Sequence, residues 1–228
     1  MEYELNELIK NIQSKDKISI SYIQRTYNFG FPKAGRIFYK LVGDGYISIT
    51  GEVNKSKVYD TLGEEHKPGI KIIFLDVDGV LNCHSTKDLC GPYKGIEDKK
   101  VVLLKELVDK TGAVIVLVSS WKEWWTSNPK FKDKQDDLAN YLDEKLAKQG
   151  LVIKDKTHDY NSVRRGRGIL RYLNSLHENN ISVDKYVILD DEMFDYLETK
   201  MTKHLIQTSY YQNVLEKKHV RKAIEKLN

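Results

Sequence analysis

The stretch KIIFLDVDGVLNCH, residues 71–84, begins as an apolar run and then carries two aspartates and a glycine. An apolar run of this kind is typical of a strand that is buried on both faces of a sheet. Asp76 and Asp78 follow the run directly, one residue apart, and Gly79 permits a sharp turn after them. The stretch therefore predicts two carboxylates that leave the end of a buried strand and point into one crevice.

The chain on the C-terminal side of this stretch alternates apolar runs with amphipathic segments. Further strands are predicted at AVIVLVSS, LVI and KYVILDDE, with helices between them. This alternation is typical of an α/β domain whose parallel sheet is covered by helices on both faces. Ligands bind such sheets at the carboxyl ends of the strands. Polar pairs stand at three of these predicted ends: Asp76 and Asp78, Ser119 and Ser120, and Asp190 and Asp191.

Acidic residues at neighbouring strand ends would bring several negative charges together. That arrangement is unfavourable unless a cation neutralises the charges. Oxygen ligands suit Mg2+, which is commonly associated with phosphate chemistry. The alternative, in which the aspartates merely cap helices, explains one such cluster better than it explains three. A Mg2+ site is therefore predicted from four carboxylates: Asp76, Asp78, Asp190 and Asp191.

These segments resemble the motifs of haloacid dehalogenase (HAD) superfamily phosphatases, over about residues 70–228. The matching segments are DVDGVLN, the serine after AVIVLV, a basic residue before GILRYL, and ILDDE. Within the superfamily, VSSWK, RGRGIL and YVILDDE look most like the HAD domains of bacterial RNA-repair proteins. The resemblance implies a Rossmann-like parallel-sheet domain and a Mg2+-dependent phosphomonoesterase that works through an aspartyl-phosphate intermediate.

The same resemblance implies a role for each motif residue. Asp76 would be the nucleophile, and Asp78 would protonate the leaving group and then activate water. Ser119 would donate a hydrogen bond to a phosphoryl oxygen. Asp191 would be the Mg2+ ligand of its pair, with Asp190 orienting or assisting.

A fixed positive charge is also expected, because charge builds up on the phosphoryl group in the transition state. The spacing of the basic motif favours Arg165 for this role, with Arg167 and Lys122 as alternatives. At least one of these three residues is expected to be only a surface charge.

The segments between the motifs are too short for a large cap domain. HAD phosphatases that act on small metabolites often carry such a cap, and an uncapped, open site suits a large substrate instead. A nucleic-acid end or a phosphoprotein fits this description, and nucleotides are still admitted. Three tryptophans follow the serine motif, where they either stack on a base or pack in the core: Trp121, Trp124 and Trp125.

The N-terminal part of the chain carries a different pattern. Helices are predicted at about residues 4–12, 19–27 and 32–45. Residues 46–62 alternate around a polar centre, which predicts a β-hairpin. Three short helices followed by a hairpin are the order of a winged helix. A small winged helix domain is therefore predicted at residues 1–62, with a linker at 63–69 and the α/β domain at 70–228.

Residues 19–48 also resemble the gamma domain of FtsK-type DNA translocases, through YIQR, GF, KA, RI and GYI in that order. That family reads short G-rich DNA with its third helix. The resemblance implies nucleic-acid contacts by Lys33, Arg36 and Lys40 on that helix. Arg25 joins them on charge alone, because no acidic residue lies between Lys17 and Lys40. The family has a polar residue and an arginine where this chain has Pro32 and Lys33, and lysine lacks the bidentate fork of arginine, so base specificity is not expected. The alternative is a winged helix used only for protein contact.

Composition limits the possible partners, the location and the state of the cysteines. The 228 residues carry a net charge of only +4, so nucleic-acid affinity requires a local basic patch such as the one just described. No apolar run reaches the length of a membrane helix and the first residues do not resemble a signal peptide, so a cytoplasmic protein without a membrane partner is expected. Cys83 and Cys90 are expected to be reduced thiols rather than a disulfide or a metal site.

Together these patterns predict a phosphatase that removes a terminal 3'- or 5'-phosphate from DNA or RNA, which the winged helix brings to an open HAD site. Two alternatives remain. One is a phosphatase of small nucleotides or sugar phosphates, in which the winged helix serves assembly. The other is a DNA-binding regulator whose HAD fold only senses a ligand, although the intact Asp76 and Asp78 disfavour it.

Overall fold

The chain divides into two compact units, Met1–Lys67 and Pro68–Asn228. A computed structural model describes residues 2–63, 69–123, 125–158, 164–179, 181–212 and 214–228. Most of the linker expected at residues 63–69 lies outside these ranges, as does Trp124. None of the helices in the described ranges is both long and apolar enough to cross a membrane.

The N-terminal unit consists of helices that pack around one apolar core. The helices are α1 (Glu2–Ile12), α2 (Ile20–Tyr27), α3 (Phe31–Gly43) and α4 (Lys55–Leu62). The hydroxyl of Ser19 accepts a hydrogen bond from the backbone N–H of Tyr22 and so caps α2. The core is formed by apolar residues from all four helices and from the segments between them, including Ile9, Ile23, Leu41, Ile47 and Val58.

The prediction of a hairpin at residues 46–62 is wrong for the second half of that range. Isolated antiparallel bridges join Ile47 to Val53 and Lys17 to Glu52, but Lys55–Leu62 is helix α4. The side chain of Asn54 accepts a hydrogen bond from the backbone N–H of Lys57, and this cap begins the helix. The polar run NKSK is therefore a helix start and not a strand.

The C-terminal unit is built on a five-stranded sheet in which every pair of neighbouring strands is parallel. Its strands are β1 (Ile70–Leu75), β4 (Val114–Leu117), β5 (Ile153–Lys156), β6 (Val183–Asp190) and β7 (Leu205–Gln207), in the order β5-β4-β1-β6-β7. Its helices are α5 (Asp98–Thr111), α6 (Asp137–Ala147), α7 (Arg165–Glu178) and α8 (Lys217–Leu227). The predicted α/β fold with a parallel sheet is confirmed. The short strand β7 was not predicted.

Apolar cores cover both faces of this sheet, and β1 contributes to both. Ile73 and Leu75 lie in one core, whereas Ile72 and Phe74 lie in the other, and all four side chains are fully buried. Alternate residues of a strand point to opposite faces, so a strand in the middle of a covered sheet must be apolar at every position. This requirement explains the unbroken apolar run that precedes the two aspartates.

A small hairpin lies between β1 and α5. It is formed by β2 (Leu89–Cys90) and β3 (Tyr93–Lys94), which pair in the antiparallel sense. Nothing larger is folded in the described residues between Asn82 and α5, and most of the described residues from 165 to 190 lie in α7 and β6. The part of the chain that the structure describes therefore holds no large cap domain in either position.

Candidate active site

Three neighbouring strands end side by side and bring the predicted motifs together. Leu75 at the end of β1 is in register with Leu117 of β4 and with Leu189 of β6. The backbone N–H of Asp76 donates to the carbonyl of Leu189 at 2.9 Å, and that of Val118 donates to Leu75 at 2.9 Å. The sheet itself thus places the DVDG, SSWK and ILDDE motifs at one edge.

An acidic cluster occupies this edge. Asp76, Asp190 and Asp191 each offer a carboxylate oxygen, and the three oxygens lie within 4.8 Å of one another. The side chains of Asp76 and Asp190 are buried, and Asp191 is half-buried. Burial and the charge of Asp76 raise the pKa of Asp190, and the same two causes raise the pKa of Asp191 to about 6. The cluster therefore fits a cation, because a cation would offset the cost of holding the three carboxylates ionised.

Arg165 supplies a positive charge within the cluster. Its Nη1 lies 2.7 Å from Asp76 Oδ2 and 2.8 Å from Asp190 Oδ2, and its side chain is buried. Burial alone would lower the pKa of the guanidinium, but Asp76 and Asp190 outweigh it and raise that pKa. The guanidinium also lies 4.1 Å from the ring centroid of Phe194, within range of a cation–π contact.

The two alternative basic residues have other surroundings. Arg167 is half-exposed and its Nη2 lies 3.8 Å from Glu198 Oε2. The Nζ of Lys122 donates to the carbonyl of Val118 at 3.3 Å and to Thr157 Oγ1 at 3.0 Å. Of the three candidates from the sequence, the structure places Arg165 directly against the carboxylates.

Asp195 holds the first turn of α7, which carries Arg165, and sequence analysis missed it. Its carboxylate accepts hydrogen bonds from the backbone N–H of Gly166 at 2.6 Å and of Arg167 at 3.1 Å. A β-carbon on Gly166 would lie 3.0 Å from Asp195 Oδ1, so glycine permits this close approach. Tyr196 OH likewise donates to Asp190 Oδ2 at 2.8 Å. The sequence signals both residues only through the polar and aromatic run after ILDDE, which carries no local pattern that links it to the basic motif.

Asp78 lies outside the three-residue cluster, although it was expected among the metal ligands. Its Oδ1 accepts a hydrogen bond from Asn82 Nδ2 at 2.8 Å, and its Oδ2 accepts one from Trp121 Nε1 at 2.9 Å. Burial raises the pKa of Asp78 despite these two donors. A carboxyl group held this way retains a proton more readily than an ordinary aspartate, which suits proton transfer better than ligation.

The described tryptophans pack inside the domain. Trp121 and Trp125 both belong to the core, and Trp125 Nε1 donates to Asp143 Oδ1 at 2.8 Å. Base stacking is therefore the wrong alternative for these two residues, while Trp124 lies outside the described residues. Trp121, two residues after Ser119, also donates its indole N–H to Asp78.

Ser119 and Gly79 complete the edge of the sheet. Ser119 is fully buried two residues after β4, and its Oγ accepts a hydrogen bond from the backbone N–H of Trp121 at 3.4 Å. Gly79 has a positive φ of 73°, and a β-carbon there would collide with the side chain of Asp191. The glycine after the aspartates is thus required both by its backbone conformation and by the approach of an acidic side chain.

Comparison with known proteins identifies the family. A family model described as the HAD domain in Swiss Army Knife RNA repair proteins matches residues 72–220, which is more than half of the chain. The chain belongs to this family. No curated protein matches it significantly. The match begins within β1 and ends within α8, so the HAD domain contains every acidic and basic residue of the site described above.

Membership of the HAD family indicates a general class of activity. HAD domains are in general phosphatase-type hydrolases that use Mg2+, and the acidic cluster of Asp76, Asp190 and Asp191 is compatible with metal binding. The two cysteines are free thiols, and neither belongs to this cluster.

Proposed function

We propose that this protein is a Mg2+-dependent phosphomonoesterase that forms an aspartyl-phosphate on Asp76. The observation that carries the proposal is that the Asp76 carboxylate belongs to a cluster suited to a cation and also contacts a buried guanidinium. It lies with Asp190 and Asp191 in a cluster suited to a cation, and its Oδ2 contacts the guanidinium of Arg165. A carboxylate flanked by positive charge can approach a phosphate dianion, which otherwise repels it.

The chemistry would take two steps on the residues of this chain. In the first, a carboxylate oxygen of Asp76 attacks phosphorus while the bond to the ester oxygen breaks, and Asp78 gives its proton to the departing alkoxide. In the second, Asp78 takes a proton from water, which attacks phosphorus and releases inorganic phosphate and free Asp76. The raised pKa of Asp78 supports the first role. Mg2+ held by Asp76 and Asp191, with Asp190 assisting, would neutralise charge on the phosphoryl group.

Two further residues would position the phosphoryl group and the nucleophile. Ser119 lies at the end of the neighbouring strand, where its hydroxyl could donate to a phosphoryl oxygen. Arg165 would fix the orientation of Asp76 and balance transition-state charge. Asp190, which is buried and bonded to Arg165 and Tyr196, would hold the guanidinium in place.

The substrate class that we propose is the phosphorylated end of a nucleic acid. The matching family is described from RNA repair proteins, and the described residues place no large cap over the site. A phosphatase of small nucleotides would share these features of the active site. The preference for a nucleic-acid end over a small nucleotide therefore depends on the N-terminal unit.

We further propose that the N-terminal unit is an FtsK gamma-type winged helix that binds nucleic acid. Arg36 and Lys40 are exposed one turn apart on α3, and Tyr39 beside them is 60% exposed. Basic side chains beside an exposed aromatic ring suit contact with phosphates and bases. Lys40 also forms an ion pair with Asp44 at 3.1 Å, and the Nζ of the half-buried Lys33 lies 3.7 Å from the ring centroid of Phe29. Arg36 is therefore the best placed of the α3 contacts, and the exposed Arg25 on α2 adds to them.

The proposed activity is tested by offering an aryl phosphate and oligonucleotides that carry a 3'- or a 5'-phosphate. We expect the protein to release phosphate from the aryl ester and from at least one oligonucleotide in Mg2+, and to lose both activities in excess chelator. Asp191→Ala should be inactive on all substrates, because it removes one carboxylate of the cluster. Turnover in chelator, or full activity of Asp191→Ala, would contradict the metal-dependent mechanism.

Delivery by the N-terminal unit is tested with the double variant Lys33→Glu with Arg36→Glu. We expect KM for a phosphorylated oligonucleotide to rise by about tenfold or more and the slope of binding against salt to become shallower by about two, because two phosphate contacts are lost. Turnover of the aryl phosphate should not change. The matched control is Lys10→Glu with Lys15→Glu, two exposed residues of the same unit that change the net charge equally. Equal kinetics of variant, control and parent on the oligonucleotide would favour a phosphatase of small nucleotides.

A further inference from the structure

Three neighbouring rings, two exposed and one half-buried, lie on the loops beside the active site. They belong to His84, Tyr210 and Tyr211, which we call the aromatic platform. The ring centroids of His84 and Tyr211 lie 5.6 Å apart with an angle of 35° between the planes, and those of Tyr210 and Tyr211 lie 5.3 Å apart, edge to face. His84 and Tyr210 are 6.4 Å apart. None of the three belongs to the cores of the domain.

The platform joins the loop after β1, which carries Asp76, to the loop after β7, which is bonded to the end of β6. The backbone N–H of His84 donates to the carbonyl of Tyr210 at 3.3 Å, which joins the loop after Asp78 to the loop after β7. Thr208 secures the second loop, since its N–H donates to the carbonyl of Asp190 at 3.0 Å and its hydroxyl donates to the carbonyl of Gly79 at 2.7 Å.

The phenol of Tyr210 lies within electrostatic reach of the site. Burial and the negative charges of Asp78 and Asp191 raise its pKa. Tyr211, by contrast, is 74% exposed. Thr208, two residues before Tyr210, therefore connects the platform to the strand ends that carry the carboxylates, and Tyr211 presents its ring to the solvent.

Tyr211 is more exposed than Tyr93 at 55% and Phe131 at 48%, two other exposed rings described in this domain. An aromatic side chain gains stability by burial, and Trp121 and Trp125 of the same domain are buried accordingly. Tyr211 instead presents its ring to water beside His84, at the rim of a site that we propose to bind a phosphate ester. A flat, partly apolar group attached to that phosphate would cover the ring.

We propose that the aromatic platform stacks against the nucleobase of the nucleotide whose phosphate is hydrolysed. The inference rests on the proposed phosphatase function and adds to it the recognition of the group next to the phosphate. Stacking tolerates any base, since every base has a π-face, so the platform would select nucleotides over other phosphate esters without reading sequence. The nucleobase could belong to a nucleic-acid end or to a free nucleotide.

The experiment compares substrates that differ only in the terminal base. One pair is a phosphorylated oligonucleotide and its counterpart with a tetrahydrofuran abasic residue at the phosphorylated end. The other pair is a nucleoside monophosphate and ribose phosphate. For each pair that the protein hydrolyses, we expect Tyr211→Ala to raise KM by at least about fivefold for the substrate that carries a base, which is the lower limit for loss of one stacked base. The KM for the substrate without a base should not change.

Two variants serve as controls. Tyr211→Phe keeps the ring and should behave like the parent protein. Val152→Ala shortens another exposed side chain, which precedes β5 and therefore lies toward the opposite edge of the sheet, and it should have no effect. A direct readout comes from 2-aminopurine at the phosphorylated end, whose fluorescence should be quenched by Asp76→Asn and less by Asp76→Asn with Tyr211→Ala.

The outcomes separate this inference from the function on which it rests. Equal KM changes on the base-carrying and baseless members, or no change on either, would overturn the platform. Hydrolysis of the monophosphate pair but not of the oligonucleotide pair would contradict the proposal of a nucleic-acid substrate. The KM values for the two monophosphates would then still test base stacking by the aromatic platform. A protein that hydrolyses the aryl phosphate and neither pair would overturn both.

Discussion

Asp76→Asn should lower kcat by about 10⁴-fold or more on every substrate, a loss of the size seen when a nucleophile is removed. The amide nitrogen cannot attack phosphorus, and the amide oxygen is a weak nucleophile and a poor ligand for Mg2+. The fold should survive, because Arg165 keeps its contact with Asp190 at 2.8 Å when its contact with Asp76 is weakened. Initial rates and thermal unfolding of the purified variant measure the two effects separately.

The control for this variant is Asp109→Asn, an exposed aspartate on α5 that pairs with Lys105. It makes the same chemical change on the surface and should leave both rate and stability near those of the parent. Trapping with labelled substrate adds a positive test, since the parent should form an acid-stable phosphoprotein and Asp76→Asn should not. Parental activity in Asp76→Asn would remove Asp76 from the nucleophile's role and with it most of the proposed mechanism.

Arg165→Met should have the second largest effect and should act on activity and stability together. Its loss leaves Asp76 and Asp190 buried beside each other without their shared cation, and breaking a buried ion pair on one side costs about 3–5 kcal/mol. The pKa of Asp190 should then rise further, because the Arg165 charge that lowers it is gone. The transition state would also lose the positive charge that balances the phosphoryl group. We expect kcat to fall by about 10³-fold, comparable to the loss of one donor from an oxyanion site.

A matched control lies two residues away on the same helix. Arg167→Met removes a half-exposed guanidinium whose partner, Glu198, is 3.8 Å away, so its charge is largely screened by water. We expect less than about a twofold change in kcat and a stability change below about 1 kcal/mol. If Arg165→Met and Arg167→Met had equal effects on kcat, the assignment of Arg165 as the charge-balancing residue would be wrong.

The fold of the C-terminal domain was predictable because its central strands are apolar on both faces. The run before Asp76 and the run that ends at Asp190 could hardly be anything other than buried strands. β7 escaped prediction because it has only three residues, and only Ile206 of them is buried. The segment Lys55–Leu62 is a helix and not the expected strand, because the N-cap at Asn54 outweighs a weak alternation of polar and apolar residues. In the sequence, an asparagine at this place is equally typical of a hairpin turn.

The site was predictable to the extent that the strands position it. Asp76, Asp190 and Asp191 leave strand ends, so topology alone brings them together. The supporting contacts join loops that are far apart in sequence, as Trp121 to Asp78 and Asp195 to the start of α7, and no local pattern reports such contacts. The choice of Arg165 over Arg167 likewise depends on which side of the first helical turn faces the carboxylates.

The contact of Arg165 with two members of the acidic cluster has a consequence for ion selection. Three carboxylates and one guanidinium leave a residual charge of minus two when all are ionised. A divalent ion brings this cluster to electroneutrality, whereas a monovalent ion leaves it anionic and a trivalent ion leaves it cationic. At a half-buried place such an excess is costly. In the metal-dependent mechanism proposed above, the arginine would therefore favour a divalent ion, and selection against the abundant alkali cations would begin with a side chain that is not itself a metal ligand.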